Sequence, residues 1–315
     1  MTSRASDLGG VMVALLTPVT SVGKVDHGAL GDLVSSVVRA GVSGISPLGS
    51  TGEGASLPLA ERLAVVDTVV AAAGGLPVVP GVFRNVLEEA IDDVAAYADH
   101  GASAALVAPP HYFALAPAET AGFFRVVADE GSLPVVLYDI PSFTKNTVGP
   151  AMVADLAVHE RIIGLKDSTR DLEHFLQLLD ALQAGEVGTD RFAILTGTDT
   201  MLLESLQAGA RGAIVASANV APELSVGIFR SWAGNDLRGA REYESRLRSL
   251  VAACRVGTYP AGWKAAAAAL GICDARLVPP RPPLGEAEAA NLLAALRRTG
   301  IVTDPATGPA RGTLR

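Results

Sequence analysis

A lysine closing an apolar run is the first residue in this sequence that could do chemistry. In "RIIGLKDSTR", residues 161–170, Lys166 ends a stretch otherwise suited to a buried strand. Strand side chains alternate between faces, so Lys166 is expected to share a face with Gly164 and Ile162 while Asp167 points the other way. The nearest carboxylate in sequence is then not placed to pair with it. An ammonium kept from water is disfavoured against the free amine, and a free amine attacks a carbonyl carbon to form a Schiff base. The competing reading is a strand-end lysine that snorkels into solvent. Residue usage weighs against it, because the four lysines, Lys24, Lys145, Lys166 and Lys264, stand among 25 basic residues that are otherwise arginine. Lys24 and Lys145 fall in polar turns and read as solvated. Lys264 reads as packing its stem along a helix.

Two further groups are of the right type to serve such an amine. Tyr138 closes the preceding apolar run in "LPVVLYDIP", one strand-helix unit earlier, and a phenol there can pass protons to and from an addition intermediate. The loop "GSTGEG", residues 49–54, offers the Ser50 and Thr51 hydroxyls and backbone N–H groups that suit a carboxylate. Glu53 in that loop reads as a backbone holder. Taken singly, Tyr138 fits a core ring with its hydroxyl at the rim, and the loop fits an ordinary turn.

The elements that must position these groups follow from periodicity. Short Val/Ile/Leu-rich runs recur about eight times, each followed by a longer segment with apolar residues at helical spacing. That alternation predicts an α/β fold, a (β/α)8 TIM barrel, whose active site lies at the C-terminal ends of the strands. A doubly wound open sheet is the alternative, but no glycine-rich dinucleotide fingerprint follows the first strand. The barrel is expected over residues 1–230 and a helical C-terminal extension over 231–300. Residues 301–315, rich in Pro, Gly and Thr, read as a flexible tail.

Composition narrows the partners. A net charge of -8 over 315 residues argues against nucleic acid and against an acidic membrane, and leaves a small molecule as the expected ligand. The apolar run near the start is too short to span a bilayer. Two cysteines, Cys254 and Cys273, form neither a disulfide framework nor a zinc motif, so a cytoplasmic setting is expected. The five histidines, His27, His100, His111, His159 and His174, show no paired ligand spacing. No metal or cofactor is therefore expected.

The motifs "GSTGEGASL", "APPHYF", "YDIP" and "GLKDS", in this order, resemble the dihydrodipicolinate synthase/N-acetylneuraminate lyase family of Schiff-base barrels. The likeness runs from "LLTPVT" into the helical tail. It implies a class I, metal-independent aldolase that makes or breaks a C–C bond between pyruvate and an aldehyde. By the family pattern Lys166 forms the Schiff base and Tyr138 relays protons. Ser50 and Thr51 hold the pyruvate carboxylate, Thr51 links Tyr138 to Tyr112, and the Ile214 carbonyl lies near the pyruvate carbon. The resemblance also implies a homotetramer or homodimer in which Tyr112 reaches a neighbouring subunit's site.

One departure bears on the second substrate. Dihydrodipicolinate synthases typically carry Tyr-x-x-Pro-x-Arg here, with the arginine on the carboxylate of the aldehyde partner. This sequence has Phe143 at that place, which removes a bidentate clamp. His111 replaces the first tyrosine of a usual Tyr-Tyr pair. Thr144, Thr198, Asp199, Ser217 and Asn219 are polar groups that could meet sugar hydroxyls. The expected substrate is accordingly a 2-keto-3-deoxy sugar acid, with 4-hydroxy-tetrahydrodipicolinate synthase (pyruvate plus aspartate semialdehyde) as the alternative. A non-enzymatic keto-acid sensor or scaffold is disfavoured, because the lysine and tyrosine are both retained.

Overall fold

Eight short β-branched and aliphatic runs form parallel strands, because each is buried on both faces and must be covered by the helix that follows it. In the computed structural model, which describes residues 4–188 and 190–302, they are β1 (Gly10–Ala14), β2 (Gly44–Ser46), β3 (Gly81–Val82), β4 (Ala105–Val107), β5 (Val135–Asp139), β6 (Ile162–Asp167), β7 (Ala193–Thr196) and β8 (Gly212–Val215). Their order in the sheet is β2-β1-β8-β7-β6-β5-β4-β3, all parallel. The free edges meet through a parallel bridge between Ile45 and Val78, with the Val79 N–H donating to the Ile45 carbonyl at 2.8 Å. The sheet thus curls into the (β/α)8 barrel that the alternation predicts.

The helices are α1 (His27–Ala40), α2 (Leu59–Ala72), α3 (Leu87–Asp99), α4 (Pro117–Glu130), α5 (Pro141–Thr144), α6 (Pro150–Leu156), α7 (Leu172–Ala184), α8 (Leu202–Ala208), α9 (Pro222–Ala233), α10 (Leu237–Cys254), α11 (Ala261–Ala269) and α12 (Glu286–Arg298). Local chemistry sets several of their starts. Asp26, Asp171 and Asp236 cap α1, α7 and α10 by accepting backbone N–H groups, and proline opens α4 and α9 where its missing N–H costs nothing.

Two apolar layers result. An outer one lies between strands and helices and includes Phe124, Phe175 and Phe192, all wholly buried. Burying each such ring contributes about 1.5–3 kcal/mol. An inner one fills the barrel with Met12, Ala14, Leu106, Val136, Tyr138, Ile163, Leu195 and Ile214. Ile163, and not Ile162, belongs to this inner layer, whereas Ile162 packs outside. The register shifts between Val135 and Val136, which pair with Ile162 and Gly164 respectively. A bulge in β6 inserts one residue there and flips Ile162 to the outer face. The expectation that Ile162 shares a face with Lys166 is corrected by that one residue.

α9 runs across the expected boundary at residue 230 and packs against β1, α1 and α8, so it completes the barrel. α10 lies along α9, and the segment joining α10 to α11 returns over the barrel to the strand ends. Of the expected tail, residues 303–315 lie outside the described residues.

Candidate active site

The parallel register sets Tyr138 directly opposite Lys166, with Asp139 opposite Asp167 one step further on. Lys166 and Tyr138 are 4% and 3% exposed, and the Lys166 amine lies 4.3 Å from the centroid of the Tyr138 ring. Among the described residues no carboxylate forms an ion pair with Lys166. Tyr138 itself leans on Phe83, edge to face at 6.1 Å.

Both residues open into a cavity of about 460 Å³ at the C-terminal ends of the strands, lined also by Ser50, Thr51, Phe143 and Ile214. That size suits a small metabolite. Gly197 forms part of the wall because nothing larger fits. A Cβ at that position would stand 2.0 Å from the Ser168 hydroxyl and 2.8 Å from the Lys166 Cε. Thr198 and Asp199 continue this wall. The Thr198 hydroxyl is buried and has no hydrogen-bond partner among the described residues, while Asp199 Oδ1 accepts the Ser217 N–H at 2.9 Å. Burial raises the Asp199 pKa against the opposing hydrogen bonds from Ser217 and the nearby Lys166 charge.

The third tyrosine of the site was not legible in the sequence. Thr51 Oγ1 lies 2.7 Å from the phenol oxygen of Tyr259, in the segment between α10 and α11. Burial raises the Tyr259 pKa, which keeps the phenol protonated. Its ring stacks obliquely on Phe143 at 6.2 Å. Tyr112 occupies no such place. It stands 79% exposed, edge to face with the exposed Phe113, and does not line the cavity of its own chain.

Other sequence candidates are spent elsewhere. The Thr144 hydroxyl donates within its own loop, to the carbonyls of Ile140 and Asn146 at 3.1 and 2.9 Å. The Ser217 hydroxyl pairs with that of Ser225 at 2.7 Å, so Ser217 reaches the cavity only through its N–H on Asp199. Asn219 clamps β1 by accepting from the Leu16 N–H and donating to the Ala14 carbonyl. His111 is engaged with Asn85, to whose side-chain oxygen its backbone N–H donates at 2.8 Å and whose amide nitrogen lies 3.4 Å from its Nε2.

Glu53 and Lys264 do more than their sequence positions indicated. Glu53 carries a wholly buried ion pair to Lys264 at 2.7 Å and a second to Arg281 at 2.7 Å, and accepts the Val278 N–H. Lys264 also donates to the Arg276 carbonyl. Desolvation lowers the Lys264 pKa, against the pull of Glu53. The hydroxyl loop is thereby tied to the same extension that delivers Tyr259.

On the outer face of β5 and β6, behind Tyr138 and Lys166, Asp139, Asp167 and His174 bring one ligand atom each within 4.8 Å of one another. The three come from two strands and a helix, so no local spacing announced them. His174 Nε2 lies 3.2 Å from Asp139 Oδ2. Burial, and then the neighbouring Asp139, push the Asp167 pKa up to about 6, and the hydrogen bond to Asp139 raises that of His174.

The model of the dihydrodipicolinate synthetase family matches residues 7–298. This chain belongs to that family. Its members are pyruvate-dependent lyases of the class I aldolase type, and the chain is an enzyme of that class. Curated relatives include the 4-hydroxy-tetrahydrodipicolinate synthases of Methanosarcina mazei, 31% identical over 93% of this chain and 99% of the relative, and of Hyphomonas neptunium, 36% identical over 93% and 99%. Among solved structures, the prophage protein YagE of E. coli K12, in complex with pyruvate, is similar with a TM-score of 0.89 and 29% identity over 93% of this chain and 99% of that one. The dihydrodipicolinate synthase of Aquifex aeolicus aligns with a TM-score of 0.87 at 29% identity, over 94% of this chain and all of that one. No described helix is long and apolar enough to cross a membrane.

Proposed function

We propose that this family member joins or splits pyruvate and an aldehyde through an imine on Lys166. The observation that carries the reading is a buried amine with no ion-pair partner among the described residues, 4.3 Å from the Tyr138 ring and inside a metabolite-sized cavity. The amine adds to the C2 carbonyl of pyruvate, and loss of water leaves the imine. Removal of a C3 proton gives the enamine, whose carbon attacks the aldehyde; hydrolysis then frees Lys166. Tyr138 is the group positioned to move these protons. Thr51 and Tyr259 extend the path from Tyr138 towards the extension, and the Ser50–Thr51 loop holds the pyruvate carboxylate. Ile214 and Gly197 complete the wall.

For the aldehyde, aspartate semialdehyde now has more support than the aldehyde of a 2-keto-3-deoxy sugar acid. The curated relatives are named 4-hydroxy-tetrahydrodipicolinate synthase. Of the five polar groups offered for sugar hydroxyls, Thr198 and Asp199 line the cavity, whereas Thr144, Ser217 and Asn219 have their side chains bonded elsewhere. The free Thr198 hydroxyl keeps the sugar-acid reading in play. Turnover with pyruvate and aspartate semialdehyde, compared with cleavage of a panel of 2-keto-3-deoxy acids, decides between the two. Dominant condensation with the semialdehyde supports the first, and dominant cleavage of a keto-deoxy acid overturns it in favour of the second. We further propose an association of subunits through the face that exposes Tyr112 and Phe113; among similar structures one is described as a monomeric variant.

A further inference from the structure

The loss of an arginine after β5 left the aldehyde end of this site without a carboxylate clamp in the sequence. The structure brings two other guanidinium groups to the same cavity. Lys166, Ser168 and Arg170 follow one another at two-residue spacing and all line it, the last two from the loop that leaves β6. Arg170 is held in left-handed backbone, φ 66°, immediately before the α7 cap Asp171. Arg255 lines the cavity from the opposite element, the segment between α10 and α11. Among the described residues neither arginine forms an ion pair, although the chain carries eight more negative than positive charges.

The charge balance inside is therefore the reverse of that outside. Arg170 and Arg255 join the Lys166 amine in the lining, and among the described residues Asp199 is its one acid, with an oxygen already committed to the Ser217 N–H. A cleft lined by one sign of charge concentrates ligands of the other. One anion is accounted for by the pyruvate carboxylate at Ser50 and Thr51. Two unpaired guanidiniums exceed what that group requires.

We infer that Arg170, with Arg255, forms a carboxylate-recognition site at the mouth of the cavity, so that the aldehyde partner carries an acid group of its own. This rests on the reading that Lys166 forms an imine with pyruvate. Guanidinium binds carboxylate through paired N–H donors, which lysine cannot match. The clamp has moved from the loop after β5 to the loop after β6. Phe143, on the vacated side, packs on Tyr259 instead.

The test compares aldehydes that differ in charge. Pyruvate consumption is measured with aspartate semialdehyde, succinic semialdehyde and glyoxylate, and with butanal and glyceraldehyde as uncharged counterparts, for the native chain, R170A, R170K and R255A. The native chain should prefer the acidic group. R170A should raise KM for acidic aldehydes about 10-fold or more while leaving the uncharged ones within about twofold, R170K should recover part of the loss, and R255A should act in the same direction. Equal use of neutral and acidic aldehydes by the native chain, or an unchanged preference in R170A, overturns the inference. Borohydride trapping of the pyruvate imine on each variant separates the two levels. Full trapping with no charge preference removes the arginine site alone, and absence of trapping in the native chain removes the imine reading beneath it.

Discussion

Thr51 Oγ1 stands 2.7 Å from the Tyr259 phenol, whereas Tyr112 lies 79% exposed outside the cavity. The tyrosine in contact with the hydroxyl loop thus comes from the C-terminal extension of the same chain. If protons leave Tyr138 by this path, Y259F should lower kcat about 100-fold, within the usual span of a general acid-base group. Y112F should stay within about twofold. A loss in Y112F that exceeds the loss in Y259F would place a neighbouring subunit's tyrosine in the site instead.

Gly197 gives a second test, independent of proton transfer. A Cβ at this position would push into the Lys166 Cε and the Ser168 hydroxyl. Misplacing a reacting group by about 1 Å costs on the order of 100-fold. G197A should therefore lose about that factor in kcat/KM with its helical circular dichroism unchanged. Native-like kcat/KM in G197A would mean that the wall can yield.

The link between loop and extension can be tested through stability. Glu53 and Lys264 are both fully buried, and removing one member of a buried pair costs about 3–5 kcal/mol because the other charge is stranded. Urea unfolding of E53Q should show a loss of this size. The double variant E53Q/K264M should recover part of it, since an apolar side chain leaves no charge to desolvate. A double variant as unstable as the two single losses combined would deny the coupling.

The pH dependence of stability follows from Asp167. Its carboxyl titrates near 6 in the fold against an ordinary value of 3.8, so the folded state binds the proton more tightly than the unfolded one. The stabilisation is present below the ordinary value and is lost as pH rises from about 4 through 6. Above that range the buried anion costs about 3 kcal/mol, at about 1.4 kcal/mol per unit. The raised His174 pKa has the same sign, with stabilisation present below 6.5 and lost as pH rises through the higher folded value. D167N removes the charge and keeps an acceptor for the Thr169 N–H. Its melting midpoint should exceed the native one at pH 8 and match it near pH 4. An equal shift at both pH values would assign the effect to packing.

Much of this was legible in the sequence because it depends on periods that the chain carries locally. Alternation along single runs announces eight strands, and a lysine and a tyrosine that close successive runs come to stand opposite each other in the sheet. What escaped depends on contacts between distant segments. The bulge that turns Ile162 outward arises from pairing with β5. Tyr259, Arg255 and the ion pair of Glu53 with Lys264 reach the loops only because α10 and α11 fold back over the barrel. Arg170 lies two further two-residue steps beyond Lys166, but it comes to the cavity through a bend and a left-handed residue after β6, which no strand period announces.

The imine on Lys166 is the central claim, and one measurement addresses it directly. Incubation with pyruvate and sodium borohydride, followed by peptide mass spectrometry, should add the mass of one reduced pyruvate adduct to the peptide containing Lys166. The adduct should be absent from K166R. Native protein left unmodified, or modified equally in K166R, would contradict the account.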